Sequence, residues 1–270
     1  MGRNSPRRIR APKSPRKYER ELAEFARFIV QQASQRFING VLTLPNYEVE
    51  KFATDMSDAF TDSNWAREAQ KNANRVTRQI MGQLSDDRIR DVVAGILTKA
   101  DGYNRQALYT ALSPALGIDT ANLMRDGSTV QIQALMDETT LWIQQLRSET
   151  LQKMTLSTLH MMAEGRDLEY IQQRALSFAR NQGKHATFLA RNQIETFNGL
   201  SNRIRAQRLG IEEAIWSTSA DDSVRPSHAD RDGKTFKIAE GCYSSLDGEY
   251  MTPGVDFNCR CDQDLLIPTT

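Results

Sequence analysis

The sequence predicts a mainly α-helical protein, with a helical N-terminal and central region followed by a small α+β C-terminal module of short strands. Three observations carry this. Apolar residues recur at spacings of three and four from Tyr18 to Leu209, as a helix with one buried face requires. Beyond Gly210 the pattern shortens to strand-like runs punctuated by Asp-Gly turns. The first seventeen residues are basic, broken by Pro6, Pro12 and Pro15, and too poor in apolar residues to build a core.

The first helix is expected from Tyr18, with Leu22, Phe25, Phe28, Ile29 and Val30 on its buried face. A turn follows near Pro45. Ser63 then serves as N-cap for a helix through Val76, Ile80 and Leu84, and Asp86 or Asp87 caps another through Val92, Val93, Ile96 and Leu97. Pro114, Gly117 and Gly127 make Ser113 to Gly127 a loop with short helical pieces. Ser128 opens a long helix carrying Ile132, Leu135, Met136, Ile143, Leu146, Leu151, Met154 and Leu159, which Gly165 ends. Asp167 caps a helix through Ile171 and Leu176. A further helix spans 184–209, and Gly210 stops it as a C′ glycine. Ala214 to Thr218 and Lys234 to Ile238 are the expected strands, with turns at Asp232-Gly233 and Asp247-Gly248. The domain reading is a disordered basic arm (1–17), a helical region (18–183) and a C-terminal domain (184–270).

At 270 residues, 39% apolar and 26% charged, the chain is long enough for one large domain or two modest ones. No apolar run approaches the roughly 20 residues of a membrane span, and the basic N-terminus has no apolar stretch behind it to make a secretory signal. Three cysteines, with Cys259 and Cys261 separated only by Arg260, form no disulfide framework, so synthesis in a reducing cytoplasm is expected. The net charge of +1 conceals an asymmetry. Residues 1–20 hold eight Lys or Arg and one Glu; removing them from totals of 35 and 34 leaves 27 basic and 33 acidic residues. The body is therefore acidic and the arm is its electropositive feature.

The informative region is Ala190 to Cys261. It runs from Ala190-Arg191-Asn192-Gln193 and Phe197-Asn198-Gly199 to Trp216, Ser219-Ala220-Asp221-Asp222 and Val224-Arg225-Pro226-Ser227-His228. Asp232-Gly233-Lys234 and Phe236 follow, and Pro253-Gly254-Val255-Asp256-Phe257-Asn258-Cys259-Arg260-Cys261 closes it. This succession resembles the phage Mu F-like minor head proteins, the phage head morphogenesis domain family. The family pattern is kept in order over roughly 75 residues, a more specific signal than any short motif. The family-motif positions are Arg191, Gln193, Asn198, Trp216, Asp221, Arg225, His228, Asp232, Gly233, Pro253, Gly254, Asn258, Cys259, Arg260 and Cys261. Thr252 stands where the family commonly has His, and Asn192 where it has an acid. The resemblance implies a minor head (capsid) protein of a tailed bacteriophage, made in the host cytoplasm and carried in the virion. It would act in procapsid and head assembly through portal or capsid proteins, away from membranes, and would be bound to the genome or delivered with it.

Two chemistries compete at the C-terminal motif. His228, Cys259 and Cys261 could ligate a soft metal, zinc being the natural candidate, with Asp222 or Asp232 as a fourth ligand. Some relatives carry C-x-x-C where this chain has Arg225 and His228. The preferred alternative is a hydrogen-bonded knot without metal, Arg225 and Arg260 pairing with Asp221, Asp232 or Asp256 around buried cysteines. Arg191, His228, Asp232 and Lys234 could instead form a hydrolytic cluster. The alternative to an assembly protein is thus a metal-dependent, nuclease-like DNA-processing enzyme packaged in the virion. No phosphate loop or nucleophile elbow supports it, so no catalytic residue and no enzyme activity are expected. His160 and His185 read as structural or surface residues, Met154, Met161 and Met162 as core filling, and Cys242 as an unpaired thiol. In the arm, Arg3, Arg7, Arg8, Arg10, Lys13, Arg16 and Lys17 would neutralise double-stranded DNA phosphates non-specifically or grip an acidic partner.

Overall fold

The computed structural model describes residues 6–42, 63–117 and 130–267, apart from the side chains of residues 63–70 and 168. Arg3, the turn near Pro45, the capping side chain of Ser63, and Gly127 and Ser128 lie outside what is described. Strand β1 (Arg7–Arg10) leads into helix α1 (Arg16–Phe37), which closes in a π-helical turn at Ile38–Leu42. Helices α2 (Ser63–Gln83), α3 (Asp86–Leu116), α4 (Val130–Ala163) and α5 (Leu168–Arg208) follow. The chain ends with β2 (Glu213–Ser217), α6 (Pro226–Arg231), β3 (Thr235–Lys237), β4 (Cys242–Ser244), β5 (Glu249–Met251) and β6 (Asp262–Ile267). The architecture is the expected one: helices, then a small module of short antiparallel strands.

Several boundaries differ from the sequence expectation. The helix expected only to Leu97 continues to Leu116 through Pro114. A proline there removes one hydrogen bond, but only in the last turn, and the helix buries Leu108, Tyr109 and Leu112. Gly117, at φ +64°, ends it by donating to the Ser113 carbonyl at 3.0 Å. The cap of α3 is Ser85, whose Oγ accepts from the Arg88 N–H at 3.4 Å; Asp86 and Asp87 sit inside the first turn. The two helices expected on either side of Gly183 are one, α5, because a lone glycine costs only about 1 kcal/mol in a helix. Phe28 stands 48% exposed and stacks on Phe25, while Leu22, Ala26, Ile29, Val30, Ala33 and Phe37 form the buried stripe. Other terminators are as read. Asp167 Oδ1 accepts from the Tyr170 N–H at 2.7 Å, and Gly165 and Gly210 hold φ +71° and +72°.

The arm is not disordered over Arg7–Arg10. Those residues form β1, antiparallel to β6, with Arg7 opposite Ile267 and Arg10 opposite Asp264. Alternation explains it: Ile9 packs against the module's core, while Arg8 and Arg10 reach Asp264 and Asp262 on β6. The sheet order is β1-β6-β2-β3, and β4 and β5 form a separate hairpin.

The chain divides into two compact units. One comprises Met1–Leu22, Val93–Thr139 and Ala190–Thr270. Its core gathers Leu108, Leu112, Trp216, Phe236, Leu265 and the cysteines Cys242, Cys259 and Cys261. Beside that core, Arg205 forms a buried pair with Asp101 and donates to Asn104 Oδ1 at 2.9 Å. The other unit, Ala23–Val92 with Thr140–Leu189, is helical through its described residues. In it the buried Arg147 donates to the Leu84 carbonyl and, at 2.8 Å, to Asp86, tying the end of α2 to the start of α3.

Candidate functional site

The family-motif residues converge within the first unit, and the convergence begins with two glycines. A Cβ on Gly199, in α5, would stand 2.4 Å from the Pro253 carbonyl oxygen. A Cβ on Gly254, at φ +85°, would stand 3.1 Å from the Glu195 carbonyl oxygen. Helix and loop therefore approach backbone to backbone, at a separation only glycine permits. Around this seam Gln263 donates to the Gly199 carbonyl at 3.3 Å and Thr196 to the Gly254 carbonyl at 3.4 Å. Asn192 Oδ1 accepts from the Asn258 N–H at 2.7 Å, where Asn258 takes φ +56°. Asn192 thus serves as an acceptor for the loop. Thr252 Oγ1 accepts from Arg203 at 2.7 Å.

Asn198 is buried and accepts from Ser14, through its N–H at 3.3 Å and its Oγ at 2.5 Å. Asn202 and Asn104 both donate to the Pro12 carbonyl, at 2.7 and 3.1 Å. The segment after β1 is thereby fixed to α3 and α5. Arg191 pairs with Glu19 at 2.7 Å, and Gln193 Oε1 accepts from Thr139 Oγ1 at 3.3 Å.

The second centre lies where α6 meets the final loop. Pro226 occupies the first turn of α6, where its missing N–H costs nothing. That places His228 inward, edge-on to the fully buried Trp216 with ring centroids 5.5 Å apart. His228 Nδ1 lies 3.6 Å from Cys259 Sγ and 3.5 Å from Cys261 Sγ. On its other side, Nε2 lies 3.0 Å from Asp256 Oδ2. Asp256 is held in turn by Arg225, which also donates to the Phe257 carbonyl. The Gly254 N–H donates to Cys259 Sγ at 3.4 Å. A hydrogen bond from Cys261 lowers the Cys259 thiol, while that bond and burial raise Cys261 above the usual thiol range. Arg260 pairs in bidentate fashion with Asp221, both contacts at 2.7 Å, and lowers that carboxyl's pKa. Asp232 Oδ1 accepts from the Thr218 N–H at 2.8 Å, and Gly233 completes the turn at φ +72°.

The residues named for a hydrolytic cluster are engaged separately. Arg191 is on Glu19, Lys234 on Asp230, Asp232 on Thr218, and His228 among the cysteines and Asp256. Of the metal candidates, His228, Cys259 and Cys261 come together, while neither Asp222 nor Asp232 joins the group that could hold an ion among the described residues. Three of the arm's seven cations are turned onto the protein. Arg8 and Arg10 pair with Asp264 and Asp262, and Lys13 with Glu195 and Asp262 at 3.1 and 3.0 Å.

Sequence reasoning missed Arg231. Its guanidinium is fully buried and donates to the carbonyls of Ser227, Cys242 and Glu249 and to both oxygens of Asp247, over the Trp216 ring at 5.5 Å. Asp247 is thereby held at about 2. The only sequence trace was position: Arg231 precedes the Asp232-Gly233 turn and Asp247 opens the next.

Comparison with known proteins finds similarity over the C-terminal half of the chain, where both centres lie. The family model described as phage Mu protein F like protein matches residues 143–264. Over 175 residues, 64% of this chain, it is 29% identical to an uncharacterized protein of Haemophilus influenzae, and the chain covers 38% of that protein's length. No solved structure matches. Among the described residues no helix is long and apolar enough to cross a membrane.

Proposed function

We propose that this is a minor head protein of a tailed bacteriophage that works by recognition rather than turnover, docking on portal or capsid protein during procapsid assembly and remaining in the virion. The observation that carries the reading is the family match over 143–264, which covers both centres described above. The geometry supports it: polar motif residues are spent on internal hydrogen bonds, which suits a rigid docking module better than a reactive cleft. The β4–β5 hairpin offers the contact surface, with Tyr243 and Tyr250 paired at 5.1 Å and Leu246 beside them, all three exposed. A secondary contact with double-stranded DNA is non-specific and falls to Arg7, Arg16 and Lys17, the described arm cations left once Arg8, Arg10 and Lys13 are paired, together with Arg3, which lies outside the described residues.

The test is coexpression of the full chain with the portal and major capsid proteins of its own phage. Copurification with the portal, reduced at least tenfold by the triple variant Tyr243→Ser/Leu246→Ser/Tyr250→Ser, is the expected result. DNA cleavage by the purified chain, abolished in His228→Ala and retained when the arm is neutralised, would instead establish a packaged DNA-processing enzyme.

A further inference from the structure

We infer that His228, Cys259 and Cys261 form a binding site for one soft divalent cation of the zinc class, a structural staple closing the C-terminal module. The inference stands independently of the assembly role. It rests first on spacing. A zinc ion bonded tetrahedrally at about 2.0–2.1 Å to nitrogen and about 2.3 Å to sulfur holds those ligand atoms about 3.5 Å apart. The two Nδ1–Sγ separations are 3.5 and 3.6 Å, and all three ligand atoms lie within 4.8 Å of one another.

The surroundings supply the second argument. A metal-binding histidine is oriented by a carboxylate on its other nitrogen. Asp256 occupies that place at 3.0 Å from Nε2, and Arg225 fixes Asp256. Nδ1, the other ring nitrogen, faces the two sulfurs. Donors surround the sulfurs as they would thiolates: the Gly254 N–H points at Cys259. The fully buried Trp216 indole N–H has no hydrogen-bond acceptor among the described residues, and its ring packs edge-on to His228 at 5.5 Å. A metal would convert two adjacent buried thiols into thiolates, releasing one proton from each, and two thiolates with a neutral imidazole balance a divalent charge.

The three ligands are at most 4% exposed. A fourth position filled by water would therefore be closed to a macromolecular substrate, which makes the ion structural. It would join α6 to the final loop in a module whose strands are three to six residues long, too short to hold without reinforcement.

The experiment uses the full chain, purified under reducing conditions without chelator. Metal content is measured by mass spectrometry, and the chelator-stripped chain is titrated with cobalt(II) and zinc. One ion per chain is expected, with thiolate-to-cobalt charge-transfer absorption and tetrahedral d–d bands that zinc abolishes. Cys261→Ser should lose the charge-transfer band or the stoichiometry. Since that variant could fail to fold, Asp256→Asn is made beside it and should weaken zinc binding by about 10- to 100-fold while keeping one site. A folded wild-type chain that neither carries nor takes up zinc or cobalt at micromolar concentration overturns the inference. So does a Cys259–Cys261 disulfide that forms in the freshly purified protein and leaves no titratable thiols for metal.

Discussion

Arg231 shows how one buried side chain organises a module. It satisfies three backbone carbonyls and both oxygens of Asp247 from a position with no exposure. Removing it strands those acceptors, so Arg231→Met should destabilise the protein by about 3–5 kcal/mol in chemical denaturation. Asp247 adds a pH dependence of known sign. Its carboxyl ionises at about 2 in the folded protein against an ordinary 3.8. The contribution is therefore fully present above about pH 4 and disappears as pH falls toward 2. Denaturant midpoints between pH 5 and 2 should decline more steeply in the wild type than in Asp247→Asn. Equal slopes would mean the pair does not titrate as a unit.

Among the elements, α5 presents two glycines with opposite roles. At Gly183 nothing lies within 4 Å of a would-be Cβ, so Gly183→Ala should stabilise the helix by about 1 kcal/mol. At Gly199 the same substitution meets the Pro253 carbonyl oxygen at 2.4 Å. Gly199→Ala should cost about 3 kcal/mol or more and loosen the 253–261 loop. Thermal unfolding of the two variants in parallel checks both, and similar shifts would contradict the backbone seam. The helix itself was readable from the 3.6-residue period, but its continuity was not, because Gly183 resembles the glycines at 165 and 210 that do end helices. Local sequence cannot distinguish a tolerated glycine from a terminating one; the φ of the residue does.

For the molecule as a whole, the arm's charge is redistributed by folding. Seven cations were available in residues 1–17, and three are paired with Asp264, Asp262 and Glu195. The proposed non-specific DNA contact should therefore show a log–log salt slope no steeper than roughly −4, at about −0.9 per phosphate, rather than the roughly −6 of a fully free arm. Fluorescence anisotropy on a short duplex across a salt series measures it. A slope near −6 would mean that β1 detaches from β6 to bind DNA.

The sequence by itself determined the helical class, the strand module after Gly210 and the resemblance to phage Mu F-like proteins, because each is written in local periodicity, turn residues or an ordered succession of motifs. It also picked out His228, Cys259 and Cys261 as a possible group. Only the tertiary structure decided which partner each motif residue takes: Asn198 on Ser14, Arg225 on Asp256, Arg260 on Asp221. The same holds for the arm, whose Arg8 finds Asp264 across 256 positions of sequence. Hydrogen bonds and ion pairs act over a few ångströms of space, and composition near one end of a chain carries no record of what folds against it from the other.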